Sequence, residues 1–157
     1  MEDGDLSEDM KKVIFVCHGS ICRSPAAEAI FLQEIKKRGK EKEFACFSYA
    51  LSNEEIGNDI YPPMKRELFA QKIPFEHHSA RRLTQEDLDS CDYLFYMDSS
   101  NESRFHSMYH DPKGKGKPIY AYTPSIQEIE DPWYTGRYQK VVEQMRICIH
   151  DILDFLG

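Results

Sequence analysis

The sequence predicts one α/β domain built on a four-stranded parallel sheet with helices on both faces. Apolar runs of strand length alternate with amphipathic stretches of helical spacing from Lys12 to the end, and no internal repeat or linker-like tract interrupts them. The length of 157 residues is that of a single domain with one core. Hydrophobic residues make up 41% of the chain, yet no apolar run approaches the roughly 20 residues of a membrane-spanning helix, so membrane insertion is not expected.

The acidic stretch over residues 1–10 has no hydrophobic centre and reads as a disordered tail rather than a secretory signal. Val13, Ile14, Phe15 and Val16 then form a first strand. A helix is predicted over residues 25–38, with Ser24 as N-cap, Pro25 as first helical residue and Gly39 ending it. Residues 44–51 are rich in β-formers and make a second strand, followed by helices over 63–71 and 84–89, the latter opened by Thr84. Residues 93–96 give a third strand, 99–108 a helix, 119–122 a fourth strand and 138–155 a closing helix. Right-handed crossovers join the parallel strands.

Charge and cysteine usage narrow the function classes. A net charge of −7 disfavours nucleic acid as a partner, and the one basic cluster, Lys113, Lys115 and Lys117, is broken by glycines and reads as a solvated loop. Five cysteines, at 17, 22, 46, 91 and 148, are an odd number in a chain large enough to fold without staples, which fits a reducing, cytoplasmic setting.

The segment from Val13 to Pro25 carries the chemistry. A strand ends at Cys17 and a helix begins near Ser24, so the residues between them turn where open α/β sheets bind ligands and where a helix N-terminus offers unbonded N–H groups. Amides converging on Cys17, together with Arg23, would favour the thiolate that nucleophilic attack requires. The planar guanidinium of Arg23 can hold two phosphate oxygens at once, and Gly19 supplies backbone freedom for a tight loop. The competing reading, a buried strand-end cysteine and an ordinary surface arginine, leaves their coincidence at a strand-to-helix junction unexplained. Cys17 and Cys22 have no accompanying cysteine or histidine pair at zinc-like spacing, so no metal site is assigned.

These residues resemble the low-molecular-weight protein-tyrosine phosphatases, whose loop reads Cys-x-Gly-Asn-x-Cys-Arg-Ser-Pro. Further matches are Ser52-Asn-Glu-Glu-Ile-Gly-Asn58, His78-Ser-Ala-Arg-Arg-Leu83, Tyr96-Met-Asp-Ser-Ser-Asn101 and Asp131-Pro132 followed by aromatics. The resemblance implies a phosphatase domain over residues 11–157, with a Rossmann-like or flavodoxin-like sheet in the order 2-1-3-4. It implies Cys17 as nucleophile, and His18, Gly19, Ser20, Ile21, Cys22, Arg23 and Ser24 as the phosphate cradle, with Ser24 steadying the departing thiolate. Asp131 would be the general acid and base, a role that expulsion of a phenolate demands, although an isolated Asp-Pro is by itself only a turn signal. The substrate is then a phosphotyrosine protein or peptide, inorganic phosphate or a similar oxyanion can occupy the loop, and neither chemical step calls for a metal or another cofactor.

Trp133 and Tyr134 fall where the family has pocket walls, although aromatics are more often core. Ser48 and His78 align with residues that brace the loop asparagine, which here is Ser20. Asparagine tolerates a left-handed backbone better than serine does, so the loop must be held differently. Glu54 stands where relatives carry an aromatic pocket residue, and a carboxylate there weakens binding of acidic phosphopeptides. Ile21 replaces the threonine of relatives that act on phosphoarginine, which favours phosphotyrosine. Cys22 aligns with the redox partner of the nucleophile, a neutral loop filler being its other reading. Two rival functions remain: arsenate reduction on the same fold, which needs two further relay cysteines where this chain has Met97 and Asp98, and a weakly active phosphotyrosine-binding module.

Overall fold

The computed structural model describes residues 10–157, so the acidic stretch over residues 1–9 lies outside the described residues. The chain runs β1 (Lys11–Cys17), α1 (Arg23–Lys37), β2 (Phe44–Ala50), α2 (Pro62–Ala70), α3 (Gln85–Ser90), β3 (Tyr93–Tyr96), α4 (Ser99–Met108), β4 (Gly116–Pro118), α5 (Pro132–Thr135) and α6 (Tyr138–Leu156). All strand pairs are parallel, in the order β2-β1-β3-β4 that the resemblance implies.

Strand alternation splits the core into two layers. Val13 and Phe15 of β1 and Phe95 of β3 face α1 and α6, while Ile14, Val16, Leu94 and Tyr96 face the opposite side with Leu51, Leu88 and Phe105. The first layer centres on Phe15, which stacks on Phe95 at 5.7 Å and meets Phe31 of α1 edge-on at 5.8 Å. Helix α6 enters that layer because Val141, Val142, Met145, Cys148, Ile149, Ile152 and Leu153 recur at helical spacing and are all buried. Helix α1 gives way at Gly39, whose φ of 69° is the left-handed conformation expected just past a helix end.

Two expectations are corrected and one element is added. The fourth strand is Gly116–Pro118 rather than residues 119–122. Ile119 is fully buried, as its β-forming character suggests, but the Ala121 amide bonds the Pro118 carbonyl and the Thr123 amide bonds that of Tyr120, so the chain turns there. Proline is tolerated in β4 because the strand is an edge. Helix α1 starts at Arg23 with Cys22 as its N-cap, which puts Ser24 inside the first turn with its polar atoms on Cys17. A further short helix, α5, follows Asp131, whose carboxylate accepts from the Trp133 amide at 3.0 Å and so caps it.

One polar pair joins α1 to β2. The Ser48 hydroxyl donates to Glu28 Oε1 at 2.6 Å, while burial pushes the Glu28 carboxyl up from 4.5 to about 7 against that hydrogen bond. Between these two values the folded chain retains a proton that the unfolded chain has released, so stability falls as pH rises through that window. Replacing Glu28 with glutamine removes the fall. The variant should gain on wild type by on the order of 2 kcal/mol between pH 4.5 and about pH 8 in urea unfolding, and a constant gap would contradict a raised carboxyl. Close packing makes a second demand at Gly116, where an added Cβ would stand 2.5 Å from Phe105 Cε2. Gly116→Ala should therefore destabilise the fold by about 1–3 kcal/mol in the same assay; an unchanged midpoint would show that the Phe105 ring yields freely.

Candidate active site

Strand β1 lies at the point where the crossovers leave the sheet in opposite directions, and its carboxyl end opens a crevice that residues 17–23 fill as a loop. The loop is held from outside by its carbonyls. Leu51 N–H donates to Cys17 O at 3.0 Å, Ser52 Oγ to His18 O at 2.9 Å, His78 Nε2 to Ser20 O at 2.7 Å and Tyr61 N–H to Ile21 O at 2.8 Å. Among the described residues no protein acceptor takes the amides of residues 18–22, so the loop presents donors to its interior.

Cys17 is buried at the floor. The Ser24 amide donates to its Sγ at 3.4 Å, and the Ser24 hydroxyl oxygen lies 3.3 Å from the same sulfur. Ser20 Oγ in turn sits 2.8 Å from Ser24 Oγ, and Ser20 holds a left-handed φ of 58°. The strained position of the loop is therefore Ser20. Gly19 is needed for space instead: its φ is ordinary, but an added Cβ would come within 3.0 Å of Glu55 Cγ. Of the two residues expected to brace Ser20, His78 does so through the backbone carbonyl, and burial holds its imidazole below the usual histidine value. The Ser48 hydroxyl is turned to Glu28 and makes no bond to Ser20.

Arg23 is almost wholly buried, and its Nη1 donates to Asp98 Oδ2 and to the Ile129 carbonyl, both at 2.7 Å. Burial works against its charge, but Cys17, Asp98 and Asp131 together push it above the ordinary arginine value. Its Nη2 lies 3.7 Å from Asp131 Oδ2, so α5 brings the carboxylate over the loop. Asp98 also accepts from the Asn101 amide at 2.8 Å and caps α4. Asp98 lies in the matched stretch Tyr96–Asn101, but its role as the partner of Arg23 was not expected; the signal was an aspartate directly before the helical stretch at Ser99.

A cavity of about 120 Å³ opens above the loop, walled by Glu54, Glu55, Asp131, Trp133 and Tyr134. The two aromatics are wall rather than core: Trp133 is 49% exposed and Tyr134 83%, and Trp133 packs on Tyr61 at 4.6 Å. His18 stands at the rim with Nε2 2.7 Å from Glu54 Oε2. Cys22 lines the same cavity, and burial pushes its thiol up to about 12, so it stays protonated beside Cys17. Both cysteines are free thiols. Cys91 is buried against the far layer of the sheet, where its thiol donates to the Leu88 carbonyl, and it does not line the cavity.

The arrangement suits a tetrahedral oxyanion: a ring of donors, a guanidinium, a sulfur below and a carboxylate above. Comparison with known proteins agrees. Residues 12–155 match the family model described as low molecular weight phosphotyrosine protein phosphatase. The chain is 32% identical over 147 residues to the low molecular weight protein-tyrosine-phosphatase YfkJ of Bacillus subtilis, covering 92% of this chain and 94% of that one. It is 36% identical over 153 residues to the human low molecular weight phosphotyrosine protein phosphatase, again covering 92% and 94%. The crystal structure of YfkJ superposes with a TM-score of 0.89 at 31% identity, covering 94% of each chain. The chain belongs to the low molecular weight phosphotyrosine protein phosphatase family.

Proposed function

We propose that this protein hydrolyses phosphotyrosine in proteins or peptides, and small aryl phosphates, through a cysteinyl-phosphate intermediate. The observation that supports this best is the convergence of Cys17, Arg23 and Asp131 on one donor-lined cavity. The five unbridged thiols fit a cytoplasmic setting, and no described helix is long and apolar enough to cross a membrane.

In the first displacement the Cys17 thiolate forms a bond to phosphorus as the bond from phosphorus to the phenolic oxygen breaks. Arg23 and the amides of the loop neutralise the oxygens of the transferring group, and Asp131 gives its proton to the departing phenolate. In the second, water attacks phosphorus, its proton passes to the Asp131 carboxylate, and sulfur leaves as thiolate. The Ser24 hydroxyl at 3.3 Å and amide at 3.4 Å are placed to stabilise that charge. Inorganic phosphate is released and Asp131 is again protonated. Trp133 and Tyr134 supply apolar walls for the tyrosine ring, with Glu54 in the same lining. Cys22 as the redox neighbour of the nucleophile is supported by its place in the lining of the same cavity.

Direct Ser20 to Ser24 contact supports the view that serine substitutes for the family asparagine by a shorter hydrogen bond. Ser20→Asn, which suits a left-handed backbone better, should raise turnover by about two- to fivefold, roughly 1 kcal/mol of strain relief. Complete inactivity of the natural serine form, with activity only in the asparagine variant, would refute a loop held by serine. Cys17→Ser should abolish the burst of phosphate release from an aryl phosphate, and a preserved burst would place the nucleophile elsewhere. Asp131→Ala should slow phosphotyrosine cleavage by about 10²–10⁴ while sparing an activated aryl ester far more; equal losses on both would remove Asp131 from proton transfer.

A further inference from the structure

The floor of the cavity is cationic, but the wall above it is not. Glu54 and Glu55 both line the mouth. Glu54 has a side chain 67% exposed and is braced by His18, itself 43% exposed, at 2.7 Å. Glu55 lies over Gly19, and its Oε1 accepts from Asn58 Nδ2 at 2.8 Å, which fixes the carboxylate at the rim. Among the residues lining this mouth the one permanently cationic side chain is Arg23, and it is held at the floor by Asp98 and the Ile129 carbonyl. Trp133 and Tyr134, which line the same cavity, are uncharged. An arriving peptide therefore passes an acidic collar before its phosphate reaches the loop.

We infer that Glu54 and Glu55, steadied by His18 and Asn58, select phosphotyrosines flanked by lysine or arginine. The inference rests on the phosphatase reading and specifies its substrate class. The phosphoryl group is drawn to Arg23 and the loop amides whatever surrounds it, so the residues beside the tyrosine decide how the collar is met. Acidic neighbours set like charges against two carboxylates within a Debye length of roughly 8 Å, whereas lysine or arginine can lay a flexible stem along the rim and pair with them. Because both carboxylates are solvent-facing, each pairing is modest and salt-sensitive, and the selection shows in the ratio between peptides.

The test compares phosphopeptides that differ only in two flanking residues, both lysine, both glutamine or both glutamate. With the natural enzyme at low salt, kcat/KM should fall in that order, by about tenfold from basic to acidic, and the spread should narrow at high salt. The ratio should collapse towards one in Glu54→Gln/Glu55→Gln and invert in Glu54→Lys/Glu55→Lys, Glu54 being exposed and Glu55 half-buried, neither in the core. A flat or reversed order in the natural enzyme, or a ratio unchanged in the variants, would overturn the collar. Release of phosphate from an aryl phosphate without flanks reports the phosphatase reading separately. Were that release absent, dissociation constants of the same three peptides for Cys17→Ser would still decide the collar by their order.

Discussion

The site depends on a buried guanidinium fixed in direction. Arg23 stands at the first residue of α1 with its charge taken out of water, held in direction by Asp98 and the Ile129 carbonyl, which each meet Nη1 at 2.7 Å, and favoured by Cys17 and Asp131 nearby. Those two partners come from just past β3 and from the stretch before Asp131, so one side chain ties the end of the loop to both other segments that build the cavity. Removing the anchor would leave an unpaired buried charge and also uncouple the carboxylate from the sulfur.

A second network fixes the sulfur itself. From His78 through the Ser20 backbone to the Ser20 and Ser24 hydroxyls and on to Cys17, successive contacts of 2.7, 2.8 and 3.3 Å run from the protein surface to the floor of the loop. Serine at position 20 serves this chain without the reach of an amide because Ser24 lies in the first turn of α1 rather than before it. The place of Ser24 in the first turn, two residues after the N-cap Cys22, is thus part of how the loop keeps its shape at a left-handed φ.

Much of the sheet was legible in the sequence because β1 and β3 are continuous apolar runs, the mark of strands covered on both faces, and α1 and α6 carry unbroken helical periodicity. The fourth strand was misplaced because Gly116 and Lys117 have no β-forming character; they pair with β3 all the same, and glycine at 116 answers to the Phe105 ring, which occupies the space of a Cβ there, a tertiary reason invisible along the chain. The same limit applies to the site. The loop from Cys17 to Arg23 is local and could be read directly, whereas Asp98 acts 75 residues away and the contact of Ser48 with Glu28 depends on packing between α1 and β2.

A covalent phosphoryl group on one sulfur is the claim on which the account turns. Acid-quenching the Asp131→Ala variant during turnover of an activated aryl phosphate, followed by peptide mass mapping, tests it directly, since slowed hydrolysis lets the intermediate accumulate. The account predicts a phosphoryl adduct on the peptide bearing Cys17, absent when substrate is omitted. Turnover continuing with no adduct, or with the phosphoryl group on another residue, would contradict it.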